Sequence, residues 1–371
     1  MSGRLALCAP DKLRGALDAP QAAAALARGC RAAGWEALEH PLADGGEGTC
    51  EAIVRARGGR REPVHTTDAL GRPRTAMLGV LPDGTCVVEG AEANGLMHIP
   101  RQRRDVMRAS SAGIAPLVLR ALDLGAPRIV IGLGGSATVD GGLGLLVGLG
   151  LRARDGDGRP LAGSGEDATR VRAIDAAGLD PRLAATELVV AVDVDSPLAG
   201  PAGAAPVFGP QKGATPQQVR LLDDGLARLA DLYGERARRP GAGAAGGLGA
   251  ACFLLGAEPE PGALLVMRET GFAERLAAAA LVITAEGSVD AQSAAGKTVA
   301  RVAGAARAAG LPCVVLGGRV DDDVDGLYAA GASAVLGIGR AARPLRSALR
   351  ASAGDLAAAA RAACTLVDAA R

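Results

Sequence analysis

The sequence predicts an α/β protein with two α/β domains. A Rossmann-like parallel-sheet domain is built from both chain ends, residues 1–62 and 281–371, and a second α/β domain, residues 63–280, is inserted between them. Three observations predict this. Strand-like and helix-like segments alternate near each terminus, the pattern of βαβ units. The chain is 49% hydrophobic but only 2% aromatic, so its cores must be Ala, Val and Leu packed around closely approaching backbone. Its 54 glycines are spread over 371 residues with no collagen-like period, which implies tight turns and backbone-lined sites rather than disorder. That length also exceeds one ordinary core.

Residues 4–9 are predicted as the first strand. Residues 18–33 follow as an Ala-rich helix with Asp18 as N-cap, Pro20 in the first turn and Gly34 at its end. A second strand is expected over 37–42. After the loop DGGEGT (44–49) comes a helix closed by Gly58 and Gly59. Between 62 and 89 the turn sequences LGRP (70–73) and PDG (82–84) separate strand-like runs, which predicts antiparallel hairpins. Alternation returns with a helix after Ser110 and Ser111, a strand over 128–133, a helix from near Asp140 and a strand over 188–192. Thr215, Pro216 and Gln218 form a capping box with proline at the first helical position. Strands over 281–284, 313–316 and 334–337 and a helix after Pro344 complete the chain.

Residues 240–257 carry no charged side chain for most of a membrane-spanning length. Six glycines interrupt them, each costing a helix roughly 1 kcal/mol relative to Ala. A buried glycine-rich loop feeding a short helix is therefore expected, and no membrane association. The start of the chain has too short an apolar run for a signal peptide. Seven widely spaced cysteines with no C-x-x-C pair point to reduced thiols in a cytoplasm. A formal net charge of +1 and a single tryptophan leave neither a field nor a stacking platform for nucleic acid. His40, His65 and His98 have no zinc-ligand spacing, and no G-x-S-x-G elbow is present.

The segment LVITAEGSVDAQSAAGKT (281–298) carries the strongest chemistry. A buried strand is predicted to run into a small-residue loop with two carboxylates, Glu286 and Asp290, and then into a helix opening at Gly296, Lys297 and Thr298 and ending at Gly310. The free N–H groups of a helix start attract anions, with Lys297 beside them. The P-loop rule G-x-x-x-x-G-K-[ST] is not met, because its first glycine position is Ala291. GLGGSA (132–137) formally satisfies the dinucleotide fingerprint, but its acidic partners Asp155 and Asp157 lie in RDGDGR (154–159), which reads as a turn. What remains is a small-residue loop with Ser136, Thr138 and Asp140 at a helix N-terminus, able to wrap oligophosphate with backbone N–H groups. Asp44 and Glu47 lie on a glycine loop past a predicted strand end. VAVDVDSP (190–197) ends a buried strand in two carboxylates, Asp193 and Asp195, a common position for a base or metal ligand in phosphoryl transfer, with an ordinary turn as the equal alternative. Lys212 lies in the turn FGPQKG (208–213), where a solvated surface lysine is the ordinary expectation.

Eight collinear motifs, ADGGEGT (43–49), DALGRP (68–73), GLGGSATVDGG (132–142), LDPRL (179–183), VDVDSPL (192–198), VFGPQKGA (207–214), PGAGAAGG (240–247) and EGSVDAQSAAGKT (286–298), resemble the class I glycerate kinase family over nearly the whole chain. The resemblance implies a cytoplasmic two-domain α/β enzyme that uses ATP and Mg²⁺ to phosphorylate D-glycerate, giving 2-phosphoglycerate, with its active site in the cleft between the domains. A homodimer is compatible with it. In this reading Gly134, Gly135, Ser136, Asp140 and Lys297 hold nucleotide phosphates, and Glu286 and Asp290 hold Mg²⁺. Asp193 is the base, Lys297 assists transfer, and Arg14, Asp44, Glu47 and Lys212 bind the substrate.

The family pattern is altered in places. DKLRGA (11–16) puts Arg14 where a lysine is usual, and Val139, Ala285, Ser293 and Val299 replace a usual Asn, Gly, Thr and Pro. Two other functions fit individual motifs. One is a non-catalytic or altered-specificity metabolite-binding relative of the kinases; the other is an NAD-dependent oxidoreductase using residues 132–137.

Overall fold

The computed structural model describes residues 4–294 and 297–370; Gly296, in the predicted helix opening, lies outside the described residues. The chain divides into two units, residues 1–44 with 263–371 and residues 45–262.

The first unit holds a five-stranded, all-parallel sheet in the order Ala334–Gly337, Cys313–Val320, Leu281–Val289, Leu5–Cys8, Glu36–Glu39. Leu7 is in register with Val282 on one side and Leu38 on the other. Apolar runs such as LALC and LVIT form these strands because a parallel sheet covered by helices is buried on both faces. Helix Ala19–Ala32 begins at Asp18, whose side chain accepts from Gln21 N–H while the Gln21 side chain accepts from Asp18 N–H, a full capping box. It packs against helix Leu345–Ala369 so closely that a Cβ on Gly29 would lie 2.1 Å from Ala357 O. Leu26, Leu281, Ile283, Leu316 and Leu356 fill the core around them, each such side chain contributing about 1.5–3 kcal/mol by leaving water.

The second unit holds a six-stranded mixed sheet in the order Glu258–Glu260, Glu187–Ala191, Arg128–Gly132, Cys86–Glu89, Pro73–Val80, Arg60–Thr67. The first four run parallel, and the last two join as the expected antiparallel hairpins. Thr215 and Gln218 form the predicted capping box at the start of helix Pro216–Tyr233. A small antiparallel sheet contains strands Arg152–Arg154 and Pro160–Leu161, and the turn between them includes Asp155 and Asp157.

Several elements differ from their sequence expectation. The unit boundaries fall at 44/45 and 262/263 instead of 62/63 and 280/281. Residues 45–62 join the second unit because Glu89 binds the N–H groups of Gly48 and Cys50 and strand Arg60–Thr67 pairs with Pro73–Val80. Residues 263–280 join the first, where His40 Nε2 lies 3.0 Å from Thr270 Oγ1 and its ring 5.5 Å from that of Phe272. Strand Leu281–Val289 runs five residues past Thr284, so Glu286 is on a strand and not in a loop. Its extension pairs Glu286 with Gly317 and Ser288 with Arg319, beside a glycine pair in which a Cβ on Gly318 would meet Gly287 O at 2.7 Å.

The helix expected near Asp140 begins at Leu143. In helix Ala244–Leu254, residues Ala245, Gly246 and Gly247 have left-handed backbone, so the glycine-rich turn precedes the regular helix as expected. No helix among the described residues is long and apolar enough to cross a membrane. All seven cysteines are unpaired and buried.

Candidate active site

In the first unit the chemistry collects past the carboxyl ends of strands Leu5–Cys8 and Leu281–Val289. The sheet topology switches direction between these neighbours, and open α/β sheets bind ligands in the crevice at such a switch point. Asp11, three residues beyond the first strand, is buried; Oδ1 accepts from Lys12 N–H at 2.6 Å and Oδ2 from the Thr298 hydroxyl at 3.1 Å. Lys12 Nζ stands 3.8 Å from Asp11 Oδ1 and 3.5 Å from Asp44 Oδ1. Burial pushes the Asp11 carboxyl up to about 7; the Lys12 ammonium opposes that shift, while Asp44 and Glu286 add to it.

Glu286 Oε1 lies 3.8 Å from Lys297 Nζ. Its Oε2 accepts from Ser293 Oγ at 3.2 Å, and the same hydroxyl lies 3.4 Å from Asp290 Oδ1. Burial raises the Glu286 carboxyl above its ordinary range; Lys297 opposes this, and Asp44 and Asp290 reinforce it. Lys297 is the N-cap residue of helix Thr298–Ala308.

Among the described residues no group of three or more His, Cys, Asp or Glu side chains is arranged to hold a metal ion. Magnesium requires no such cage, since it binds through one or two carboxylates, waters and substrate phosphates. Glu286 and Asp290 suit it: they are hard oxygen donors gathered about one hydroxyl, and their mutual repulsion is what a cation would relieve.

In the second unit the loops gather at the carboxyl ends of Cys86–Glu89, Arg128–Gly132 and Glu187–Ala191. A Cβ on Gly132 would lie 2.7 Å from Gly45 O and one on Gly134 2.6 Å from Gly46 Cα, so only glycine lets these two loops touch. Gly134 N–H donates to Gly45 O at 3.3 Å and Ala137 N–H to Asn94 O at 2.9 Å. Among the described residues no protein acceptor takes the N–H groups of Gly135 and Ser136, and Gly135 is exposed at the loop's apex. Glu47 adjoins that apex: a Cβ on Gly135 would be 3.0 Å from Glu47 Oε1.

The predicted residues thus fall into two sets. Arg14, Asp44, Glu286, Asp290 and Lys297 belong to the first unit, and Glu47, Gly134, Gly135, Ser136, Asp140, Asp193 and Lys212 to the second. Arg14 is exposed, its backbone nitrogen 2.8 Å from where a Cβ on Gly287 would lie. Asp193 is exposed beyond strand Glu187–Ala191, and its Oδ1 accepts from Gly262 N–H at 2.7 Å.

Two assignments are corrected by burial. Asp140 is fully buried and accepts from Ser111 N–H and Oγ and from the N–H groups of Gly142 and Gly144, so its carboxylate is engaged in holding the loop and not turned to a nucleotide. Lys212 is not a solvated turn lysine. Only 4% exposed, it donates to Ser136 Oγ at 2.9 Å and Thr138 O at 2.8 Å. The dinucleotide reading also loses its acid, because Asp155 accepts from the N–H groups of Asp157 and Arg159 in its own turn.

Sequence reasoning assigned no role to Asp11, Lys12, Glu89, Asn94 or Thr298. Asp11 and Glu89 carried an unused signal, each being a carboxylate at or just past a strand's carboxyl end. Glu89 is buried and binds the N–H groups of Gly48 and Cys50 at the start of helix Thr49–Arg57.

Residues 6–368 match the model of the glycerate kinase family. A protein of Bacillus subtilis named glycerate kinase is 40% identical over 351 residues, covering 92% of each chain. One of Escherichia coli named glycerate 2-kinase is 39% identical over 339 residues, covering 89% of each. A crystal structure from Salmonella typhimurium LT2, provisionally named glycerate kinase 2, superposes with a TM-score of 0.83 at 37% identity, covering 99% of this chain and 98% of the other.

Proposed function

The chain belongs to the glycerate kinase family, and from that membership we propose that it transfers the terminal phosphoryl group of ATP to a hydroxyl of D-glycerate, giving 2-phosphoglycerate and ADP. The observation that carries this reading is the match to proteins named glycerate kinase across nine tenths of both chains. The two sets of site residues supply chemistry of the kind the reaction needs. In phosphoryl transfer the acceptor oxygen bonds to the terminal phosphorus as the bond to the bridging oxygen of ADP breaks, and the hydroxyl proton leaves. Little covalent work falls to the protein, so positioning and charge neutralisation dominate.

In the second unit the N–H groups of Gly135 and Ser136 would hold nucleotide phosphate oxygens, as backbone donors do in other anion sites. Asp193, fixed through Gly262 N–H, would take the acceptor's proton. In the first unit Lys297 would offset charge on the transferred group. Arg14 would clamp the substrate carboxylate through its planar fork, and Asp44, held by Lys12, would accept from substrate hydroxyls. A magnesium ion held by Glu286 and Asp290 would neutralise phosphate charge.

Phosphorus NMR of the product formed from MgATP and D-glycerate tests the proposal. A 2-phosphoglycerate resonance with stoichiometric ADP is expected. A 3-phosphoglycerate resonance would overturn the regiochemistry, and no transfer at all would overturn the activity.

A further inference from the structure

The segments around Lys212 form a buried junction within the second unit. Lys212 Nζ donates to Ser136 Oγ and Thr138 O. Because that hydroxyl accepts from an ammonium, its own hydrogen is directed away, and Ser136 Oγ donates to Ala245 O at 3.0 Å. Ala245, at φ 55°, is the only non-glycine residue with positive φ among those described. Such a conformation persists only where its surroundings over-determine it. They do so here: a Cβ on Gly246 would lie 1.9 Å from Thr138 O, and Gly141 N–H donates to Gly246 O at 3.0 Å. Three segments distant in sequence, 134–141, 209–213 and 241–247, are therefore fastened at one point, and Lys212 is the cation in it.

We propose that Lys212 is a positioning residue for phosphoryl transfer. Through Ser136 Oγ and Thr138 O it fixes the backbone of residues 134–138, so that the N–H groups of Gly135 and Ser136 point outward toward nucleotide phosphate, and it touches neither substrate itself. The inference rests on the reading that this loop receives the nucleotide. The geometry favours it over a direct substrate role: the ammonium is only 4% exposed, and protein acceptors take two of its three N–H groups. Burial pushes the Lys212 ammonium down to about 7, and Asp140 opposes that shift.

The test is a double-mutant cycle of Lys212→Met and Ser136→Ala, with KM for MgATP, KM for D-glycerate, kcat and Tm measured for each. Lys212→Met is expected to raise KM for MgATP about tenfold while D-glycerate KM stays within about twofold. Added to Ser136→Ala, it should cost markedly less than it does alone, because the two residues act through one link. Multiplicative effects would overturn the proposal, as would a loss carried by D-glycerate KM in Lys212→Met alone. If both variants move D-glycerate KM non-multiplicatively and leave MgATP unaffected, the strut stands and only the loop's assignment to the nucleotide falls. Should Lys212→Met not fold, Lys212→Gln, which keeps an N–H donor without the charge, replaces it in the cycle under the same criteria.

Discussion

Asp11 Oδ2 accepts the hydroxyl of Thr298 at 3.1 Å, joining the loop after the first strand to the first residue of helix Thr298–Ala308. A carboxylate near a helix start satisfies donors there, yet burial is the larger influence on Asp11 and raises its carboxyl from its ordinary 3.8 to about 7. The folded state therefore holds this proton over a pH range in which the unfolded chain has released it. For a raised carboxyl the stabilising contribution is complete below the unfolded value and is lost as pH rises toward the folded one. Thermal melts without nucleotide or magnesium should show the Tm of the wild type falling relative to Asp11→Asn between about pH 4 and pH 7, then levelling. A constant difference across that range would mean that Asp11 is ionised throughout.

Gly246 and Gly200 separate two reasons for glycine. Both have positive φ, at 77° and 95°, but a Cβ on Gly246 would be 1.9 Å from Thr138 O while nothing lies within 4 Å of one on Gly200. Gly200→Ala should cost only the left-handed strain, about 1–2 kcal/mol. Gly246→Ala must also push the 134–141 loop aside and should cost more than about 3 kcal/mol. Urea unfolding measures both; equal losses would mean that the contact with Thr138 carries no energy.

Features governed by neighbours in sequence were legible without coordinates. The Thr215 capping box, the Asp18 cap, the Pro344 helix start and the turn at Asp155 all depend on residues within a few positions. Lys212 was not legible, because its acceptors are 76 and 74 residues away and nothing in FGPQKG marks it as buried. Asp140 misled for the same reason: a carboxylate after a glycine loop looks open to ligand until Ser111, 29 residues earlier, is seen to bind it. The end of strand Leu281–Val289 was missed because Gly287 and Ser288 read as loop residues. Pairing with Arg319 and the bare backbone of Gly317 and Gly318 keeps them extended.

Glu286 and Asp290 share the Ser293 hydroxyl, which bears on the proposed magnesium dependence. Glu286→Gln keeps the shape and the contact with Ser293 but removes a charge, so the half-saturating magnesium concentration should rise at least about tenfold. Titration of activity at fixed nucleotide measures it. Superimposable titrations of variant and wild type would remove Glu286 from the metal's ligands.

Asp193 and Lys297 are expected to act in the chemical step, and their replacements can be chosen so that folding is little disturbed. In Asp193→Asn the side-chain carbonyl can still accept from Gly262 N–H, the contact now made at 2.7 Å, so the strand end should stay in place. The lost capacity is proton acceptance. Lys297 is partly exposed and 3.8 Å from Glu286, so truncation to Ala costs little packing but leaves developing charge on the phosphoryl group uncompensated. Each variant should lower kcat by about two orders of magnitude or more, with Tm close to that of the wild type. A coupled ADP-release assay at saturating MgATP and D-glycerate decides the matter, and turnover near the wild-type rate would exclude that residue from catalysis. A variant with raised KM and unchanged kcat would instead show a binding role, because an interaction made equally in the ground and transition states changes KM alone.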